Sequence, residues 1–395
     1  MSATDRLFTP RLAFLAVLAI AASQYLVFVM ALFGVSPEFT FGGDFVAFWA
    51  AAKETLNGDM TALYAPLGLE QAIQTHSPHD ALEGLTWQYP PHAGLVFSPL
   101  GLLPFPIAYA VWCGLGLSVY AMALHAVGLK DRFLFVALAS VPVLLALKTG
   151  QNALFMGALL IVAVFYARSK PLVAGLAAAV LTLKPQLGFL LPVLFLAGGH
   201  WRAFAYASIG SLGLFGLSMG VFGISAWMTF LDSVLAVSGS VATGEMPIFK
   251  MVNLYAAVQL AGVPDAAAMT LAGLAILMAM VAMFWVARVT EDPVWRYAAL
   301  ASLTLIAAPY SYYYELALIV PALLFIVKRG YEAGWLRFER EMVASALLLS
   351  LAVPGLPIRS GLSISFVLMA VIAVIIARRL RAELAPKPSA SLRLA

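Results

Sequence analysis

Residues 93–126 read AGLVFSPLGLLPFPIAYAVWCGLGLSVYAMALHA, with no aspartate, glutamate, lysine or arginine anywhere in the run. Such a stretch suits hydrocarbon better than water, because about 20 apolar helical residues already cross the roughly 30 Å of a bilayer core. The run is also too long for one crossing. Pro99, Pro104 and Pro106 fix φ and remove backbone donors, so they predict a short half-helix followed by a full span.

Comparable apolar runs recur on either side, separated by short polar breaks. They cover 12–34, 132–147, 152–168, 171–183, 186–199, 203–223, 265–287, 295–308, 313–327, 342–354 and 361–377. Composition agrees: 63% of the 395 residues are hydrophobic and 11% charged, against about 25% charged in a soluble domain. The expectation is an all-α polytopic membrane protein of about a dozen transmembrane helices. One domain covers 1–385, and an Ala/Pro/Ser-containing tail at 386–395 is expected to be disordered. Behind Arg6 and Arg11, residues 12–34 could serve as a signal peptide, but their length fits a retained first helix better.

Charge gives the orientation. Most of the 23 basic residues fall on one side if the chain makes an even number of crossings, which predicts an N-in, C-in topology. Only Lys53, Lys148, Lys184, Lys250 and Arg359 then lie outside. The basic residues are scattered singly and make no basic face with interleaved aromatics, which excludes nucleic acid as a partner. Cys113 is the single cysteine, so an intrachain disulfide and a thiolate metal cluster are excluded.

Two outer loops are long, 36–92 and 224–264, and functional side chains tend to sit on loops held by a rigid scaffold. The first opens with Gly42-Gly43-Asp44. Phe45, Phe48, Trp49, Ala52 and Leu56 then recur at helical spacing up to a stop at Asn57-Gly58. This predicts a short interfacial helix with Trp49 at headgroup level. Asp44 reads either as its N-cap or as a general base, and the roles oppose each other, since capping lowers a carboxylate pKa. The loop closes on Trp87-Gln88-Tyr89-Pro90-Pro91-His92, where Trp87 and Tyr89 suit membrane anchors and Tyr89 and His92 also suit sugar or acceptor contacts. His76, His79 and His92 lack a zincin-like carboxylate pattern, and no metal site is assigned.

Three polar interruptions fall at outer ends of spans: Lys148-Thr149-Gly150-Gln151-Asn152, Lys184-Pro185-Gln186 and Tyr310 to Glu315. Lysines on the positive-poor side suggest a phosphate held at headgroup depth by Lys148, Gln151, Asn152, Lys184 and Gln186. Snorkelling toward lipid phosphates is the plainer alternative. Tyr314 and Glu315 are further candidates for sugar or acceptor contacts.

Asp44-Phe45, Phe48-Trp49-Ala50-Ala51, Gly58, Leu63-Tyr64, Tyr89-Pro90-Pro91, Ser98-Pro99-Leu100, Leu103-Pro104 and Ala110-Val111-Trp112 form an ordered set. With Gly150-Gln151-Asn152, Lys184-Pro185-Gln186 and Trp201-Arg202, it resembles glycosyltransferase family 87 over about residues 40–330. That family includes polyprenol-phosphate-mannose-dependent α-1,2-mannosyltransferases. The resemblance implies a GT-C fold and a polyprenyl-phosphate-linked sugar donor. It also implies a glycolipid or glycan acceptor, catalysis on the outer face and Asp44 as catalytic base. The run Pro309 to Glu315 carries tyrosines and a glutamate where many members have histidine. No cofactor is implied, because a single leaving phosphate does not demand a divalent metal. Compact loops and an Ala-rich composition suit a bacterial plasma membrane with the site on its periplasmic side.

Three other classes compete. A transporter or lipid-linked-glycan flippase would place ionisable residues near mid-membrane, whereas the polar breaks here gather at one face. A membrane acyltransferase would centre on histidine, and His125 and His200 fall toward the inner side without such a cluster. A non-catalytic assembly partner would need no convergent polar groups.

Overall fold

The computed structural model describes residues 42–58, 60–76, 86–242, 248–352 and 364–385, whose regular structure is helical apart from one isolated bridge, Met251 with Tyr312. The described residues open with α1 (Phe45–Leu56) and α2 (Gly68–His76). The proline-broken run follows as expected. Helix α3 (His92–Phe97) continues into a 3-10 turn, Ser98–Leu102; the backbone turns extended at Leu103 and Pro104, and α4 (Phe105–Ala126) begins.

Pairs of short helices come next: α5 (Asp131–Leu138) and α6 (Val141–Thr149), then α7 (Ala153–Phe165) and α8 (Pro171–Val180), then α9 (Pro185–Gly188) and α10 (Leu191–Ala197). Proline at the first or second helical position starts α6, α8, α9 and α10, where its missing N–H would be unpaired anyway. The remaining α-helices among the described residues are α11 (Trp201–Ala242), α12 (Leu254–Leu260), α13 (Asp265–Val289), α14 (Pro293–Ala307), α15 (Val320–Ala333), α16 (Glu339–Ala352) and α17 (Ile364–Leu384).

Helix α14 forms the centre. Trp295, Tyr297, Leu300 and Leu305 are fully buried, and α14 packs against α7, α13, α15 and α17. A helix apolar all round belongs inside a bundle. By contrast α4, α11 and α13 carry large apolar side chains to the outside, among them Ile107, Leu115, Met122, Leu212, Leu217, Leu277, Met278 and Val281. With 22 residues in α4 and 25 in α13, a rise of about 1.5 Å per residue carries each across a bilayer core. Their exposed apolar faces are lipid-facing surface, and the chain is a membrane protein. Helix α8 closes on α11 through small residues; a Cβ at Gly175 would stand 2.5 Å from the Tyr206 Cβ.

Several expectations change. Among the described residues three helices are long and apolar enough to cross a membrane, or four if the α5–α6 pair, bent by 47°, is one crossing. The expected dozen is therefore not matched by helix length, because prolines and glycines split the shorter runs. The expected first span, 12–34, and the tail, 386–395, lie outside the described residues. The run 203–223 does not stop where expected. Helix α11 continues past a non-helical break at Gly223, so part of the expected loop 224–264 is helix.

Helix α1 forms where predicted and stops at Asn57-Gly58, but its apolar face packs against protein and not against lipid headgroups. Phe45, Phe48, Trp49 and Ala52 are buried; Trp49 packs on Phe105 and donates its indole N–H to the Leu103 carbonyl at 2.9 Å. Trp87 is likewise no headgroup anchor: it is buried against Phe48, Tyr89 and Phe97. The greasy face meets the α3–α4 segment, whose own broken backbone presents aromatics to it.

Candidate active site

The turn Gly42-Gly43-Asp44 delivers Asp44 to the start of α1, yet its carboxylate makes no capping bond to that helix. It accepts instead from Gln151, Nε2 to Oδ2 at 2.8 Å, across more than a hundred residues of chain. Two opposed roles were open for Asp44, and the local one is not taken.

Backbone geometry at Gly150 creates this contact. Helix α6 ends there in a left-handed turn (φ 69°): Gly150 N–H donates to Leu147 O at 3.1 Å and Gln151 N–H to Ala146 O at 3.0 Å. A Cβ on Gly150 would stand 2.5 Å from the Phe45 Cβ, so only glycine admits α1 this closely. Aromatics of α4 clamp the corner. Trp112 donates to Gly150 O at 2.8 Å, and the Tyr109 hydroxyl donates to Leu147 O at 2.5 Å. Phe45 and Phe48 pack on Trp112. Gln151 and Asn152 therefore sit on a stiff corner.

A second cluster adjoins. Asn152 donates to the Tyr89 hydroxyl at 3.2 Å, and Tyr64 donates to the Tyr89 carbonyl at 2.7 Å. The Lys184 ammonium lies 5.8 Å from the Tyr89 ring centroid and 5.3 Å from that of Tyr314, and donates to Glu315 Oε1 at 2.9 Å. Lys184 precedes Pro185, which keeps it out of the helical conformation between two helical turns (φ −128°, ψ 77°), and its side chain is buried. Glu315 is fixed in turn by the Tyr312 N–H, which donates to its other oxygen at 2.9 Å.

The segment before α12 holds this tyrosine-rich run in place. Val252 N–H donates to Ser311 O at 2.8 Å, and the Asn253 amide donates to the carbonyls of Ala308 and Pro309.

Electrostatics follow from burial. Desolvation raises the Asp44 pKa above the ordinary 3.8; the Gln151 hydrogen bond, Lys250 and Lys184 pull it partly back. Desolvation lowers the Lys184 pKa, but Glu315 and Tyr89 reverse this, and the ammonium stays charged. His92 is desolvated to a pKa of about 4; its Nε2 meets the Thr182 hydroxyl at 3.1 Å and its ring stacks on Trp227.

The structure thus joins Asp44, Gln151, Asn152, Tyr89, Lys184, Tyr314 and Glu315 into one region. Glu315, expected to touch sugar, has both oxygens engaged by Lys184 and the Tyr312 amide. Lys148 is half-buried in the last turn of α6, its carbonyl accepting from Tyr109 at 3.2 Å. Gln186 is half-buried on α9. His79 lies outside the described residues, and His76 pairs with Glu54 at 2.5 Å. Lys250, whose field reaches Asp44, was not among the expected site residues. Its presence among the few outer lysines was the available signal.

No curated protein and no solved structure shows significant similarity to the chain. Residues 87–309 match the model of glycosyltransferase family 87. The matched span contains Tyr89, Lys148, Gln151, Asn152 and Lys184, while Asp44 and Glu315 lie outside it and reach it through Gln151 and Lys184. The match covers more than half of a 395-residue helical membrane chain, and that chain is a member of glycosyltransferase family 87.

Proposed function

We propose that the protein transfers a hexose, by family likeness mannose, from a polyprenyl-phosphate donor to a hydroxyl of a glycolipid or glycan. The observation that carries this reading is the Asp44 carboxylate, desolvated, held by Gln151 and within the fields of Lys184 and Lys250. A base in such surroundings has a raised proton affinity, and an adjacent cationic end suits a departing phosphate.

In the proposed reaction Asp44 removes the acceptor hydroxyl proton as that oxygen bonds to the anomeric carbon. The bond from that carbon to the phosphate oxygen breaks on the opposite side, so configuration inverts and prenyl phosphate leaves with the bonding pair. Lys184 and Lys250, with Lys148 as a third candidate, steady its charge. The mechanism needs no divalent metal. The fold class would be GT-C, the topology N-in and C-in, and the Asp44 end the outer face of a bacterial plasma membrane.

The test is transfer of radiolabel from polyprenyl-phosphate-mannose by purified protein, with Asp44→Asn beside it. Label should reach a lipid or glycan acceptor with the wild type alone. Transfer at wild-type rate by the Asn variant would remove Asp44 from its role. No transfer from any polyprenyl-phosphate hexose would sink the donor class.

A further inference from the structure

In the sequence, Gln151 and Asn152 look like amide donors for a phosphate, but the structure turns both side chains the other way. Gln151 Nε2 is committed to Asp44 at 2.8 Å, and Asn152 Nδ2 to the Tyr89 hydroxyl at 3.2 Å. Gln151 Oε1 and Asn152 Oδ1 are both buried without a hydrogen-bond partner among the described residues, and Asn152 as a whole is 1% exposed. Charge settles the Gln151 orientation: an ionised carboxylate only accepts, so the atom facing Asp44 is nitrogen. With Gln151 so fixed, and with Asn152 turned as the structure has it, Nδ2 on the Tyr89 hydroxyl, two carbonyl oxygens remain on adjacent residues. They accept hydrogen bonds, cannot donate them, and repel an anion. Buried polar atoms nearly always find partners, so a neighbouring pair without any requires a reason.

We propose that Gln151 Oε1 and Asn152 Oδ1 form a hydroxyl-reading subsite that takes the O–H groups of a sugar and does not bind phosphate. The ligand class is a polyol, which brings several donors on one rigid ring. Gln151 is tied to Asp44 and reads an acceptor hydroxyl neighbouring the one that Asp44 deprotonates. Asn152 is tied to Tyr89 beside the Lys184 ammonium and reads a hydroxyl of the donor sugar. This division between two sugars rests on the transferase reading above; the hydroxyl preference itself does not. The corner is rigid, because Gly150 is pressed against Phe45 and its carbonyl is held by Trp112. A rigid acceptor discriminates by geometry, so a ligand lacking the matching hydroxyl leaves it unpaired.

The experiment measures binding of hexyl α-D-mannoside, β-D-glucoside and β-D-galactoside, and of the monodeoxy analogues of the tightest, to the protein in lipid nanodiscs. Loss of one ring hydroxyl should weaken binding by about tenfold. Gln151→Leu or Asn152→Leu should each erase the sensitivity at one ring position and leave affinity for inorganic phosphate unchanged. The wild-type deoxy series stands even if a leucine variant does not fold. Failure of every hexyl glycoside to bind, equal binding of all deoxy analogues, or leucine variants that lose phosphate affinity but keep the deoxy pattern would each overturn the subsite. Hydroxyl-dependent binding without transfer from any polyprenyl-phosphate hexose would instead overturn the transferase reading and leave the subsite standing.

Discussion

The two ends of α14 both carry buried charge, and they use it differently. At the Arg296 end the buried charges reach both backbone and side chains, and Arg296 Nη1 also meets His200 Nε2 at 2.6 Å. Arg296 gives Nε to Thr290 O at 2.8 Å and Nη2 to Ala287 O at 2.7 Å, answering carbonyls left over where α13 ends. Asp292 accepts the Val294 N–H at 2.9 Å and pairs with Arg329. Arg379 makes two bonds to Glu339, and Trp295 donates to Glu383 at 2.6 Å. At the Asp44 end the side chains meet one another, Gln151 with Asp44, Asn152 with Tyr89, Lys184 with Glu315, and acceptors remain unused. Charge that closes helix ends is architecture. What sets the Asp44 end apart is its spare atoms: buried acceptors on Gln151 and Asn152 are left open to a ligand.

The largest effect that could break this contrast falls on Asp44→Asn. Losing a general base should lower transfer by about 10²–10⁴-fold. Thermal stability should hold, because the carboxylate makes no helix cap. A comparable fall in stability would assign Asp44 to architecture after all.

Next come the two buried ion pairs. Removing one partner of such a pair costs about 3–5 kcal/mol, since the other charge is left buried alone. Lys184→Met and Arg379→Met should therefore both destabilise, with side chains only 7% and 5% exposed. Adding Glu315→Leu or Glu339→Leu respectively should restore stability. Denaturation and transfer assays on the double variants then separate the ends: Arg379→Met/Glu339→Leu regains activity, and Lys184→Met/Glu315→Leu does not. Recovery of activity in both would erase the distinction.

The pH dependence is smaller. The folded pKa of Asp44 lies above 3.8, so its protonated form favours the fold, and that contribution is lost as pH rises from 3.8 through the folded value. Transfer rate runs in the opposite sense, climbing over the same window as the base ionises. The ascending limb should sit above the ordinary carboxylate range, and a limb centred at 3.8 would show Asp44 to be solvated. The smallest effect belongs to Lys250→Ala. Lys250 is exposed and lowers the Asp44 pKa only through its field. Its loss should move that limb upward by a few tenths of a unit at low salt and by less at high salt. An unchanged limb at low salt would place Lys250 outside the site.

How much of this was legible in sequence varies by element. The break in 93–126 was, because proline acts locally. The stop at Asn57-Gly58 was too, for the same reason. The inward packing of Trp49 and Trp87 was not, since an apolar face looks alike whether it meets lipid or protein. Charge pattern drew attention to Lys184 and Glu315, but nothing local says that they pair across 131 residues of chain.

Composition and periodicity alone determined a helical, lipid-solvated chain, and an ordered set of short motifs determined its family. Both are local properties, fixed by the hydrocarbon preference of each run and by backbone chemistry at proline and glycine. Which way each polar side chain turns was decided only by tertiary structure. Gln151 could have given its amide to a phosphate. Its nitrogen is spent on Asp44 because Gly150, lacking a Cβ, lets α1 come close enough for a residue near the start of the described chain to claim it.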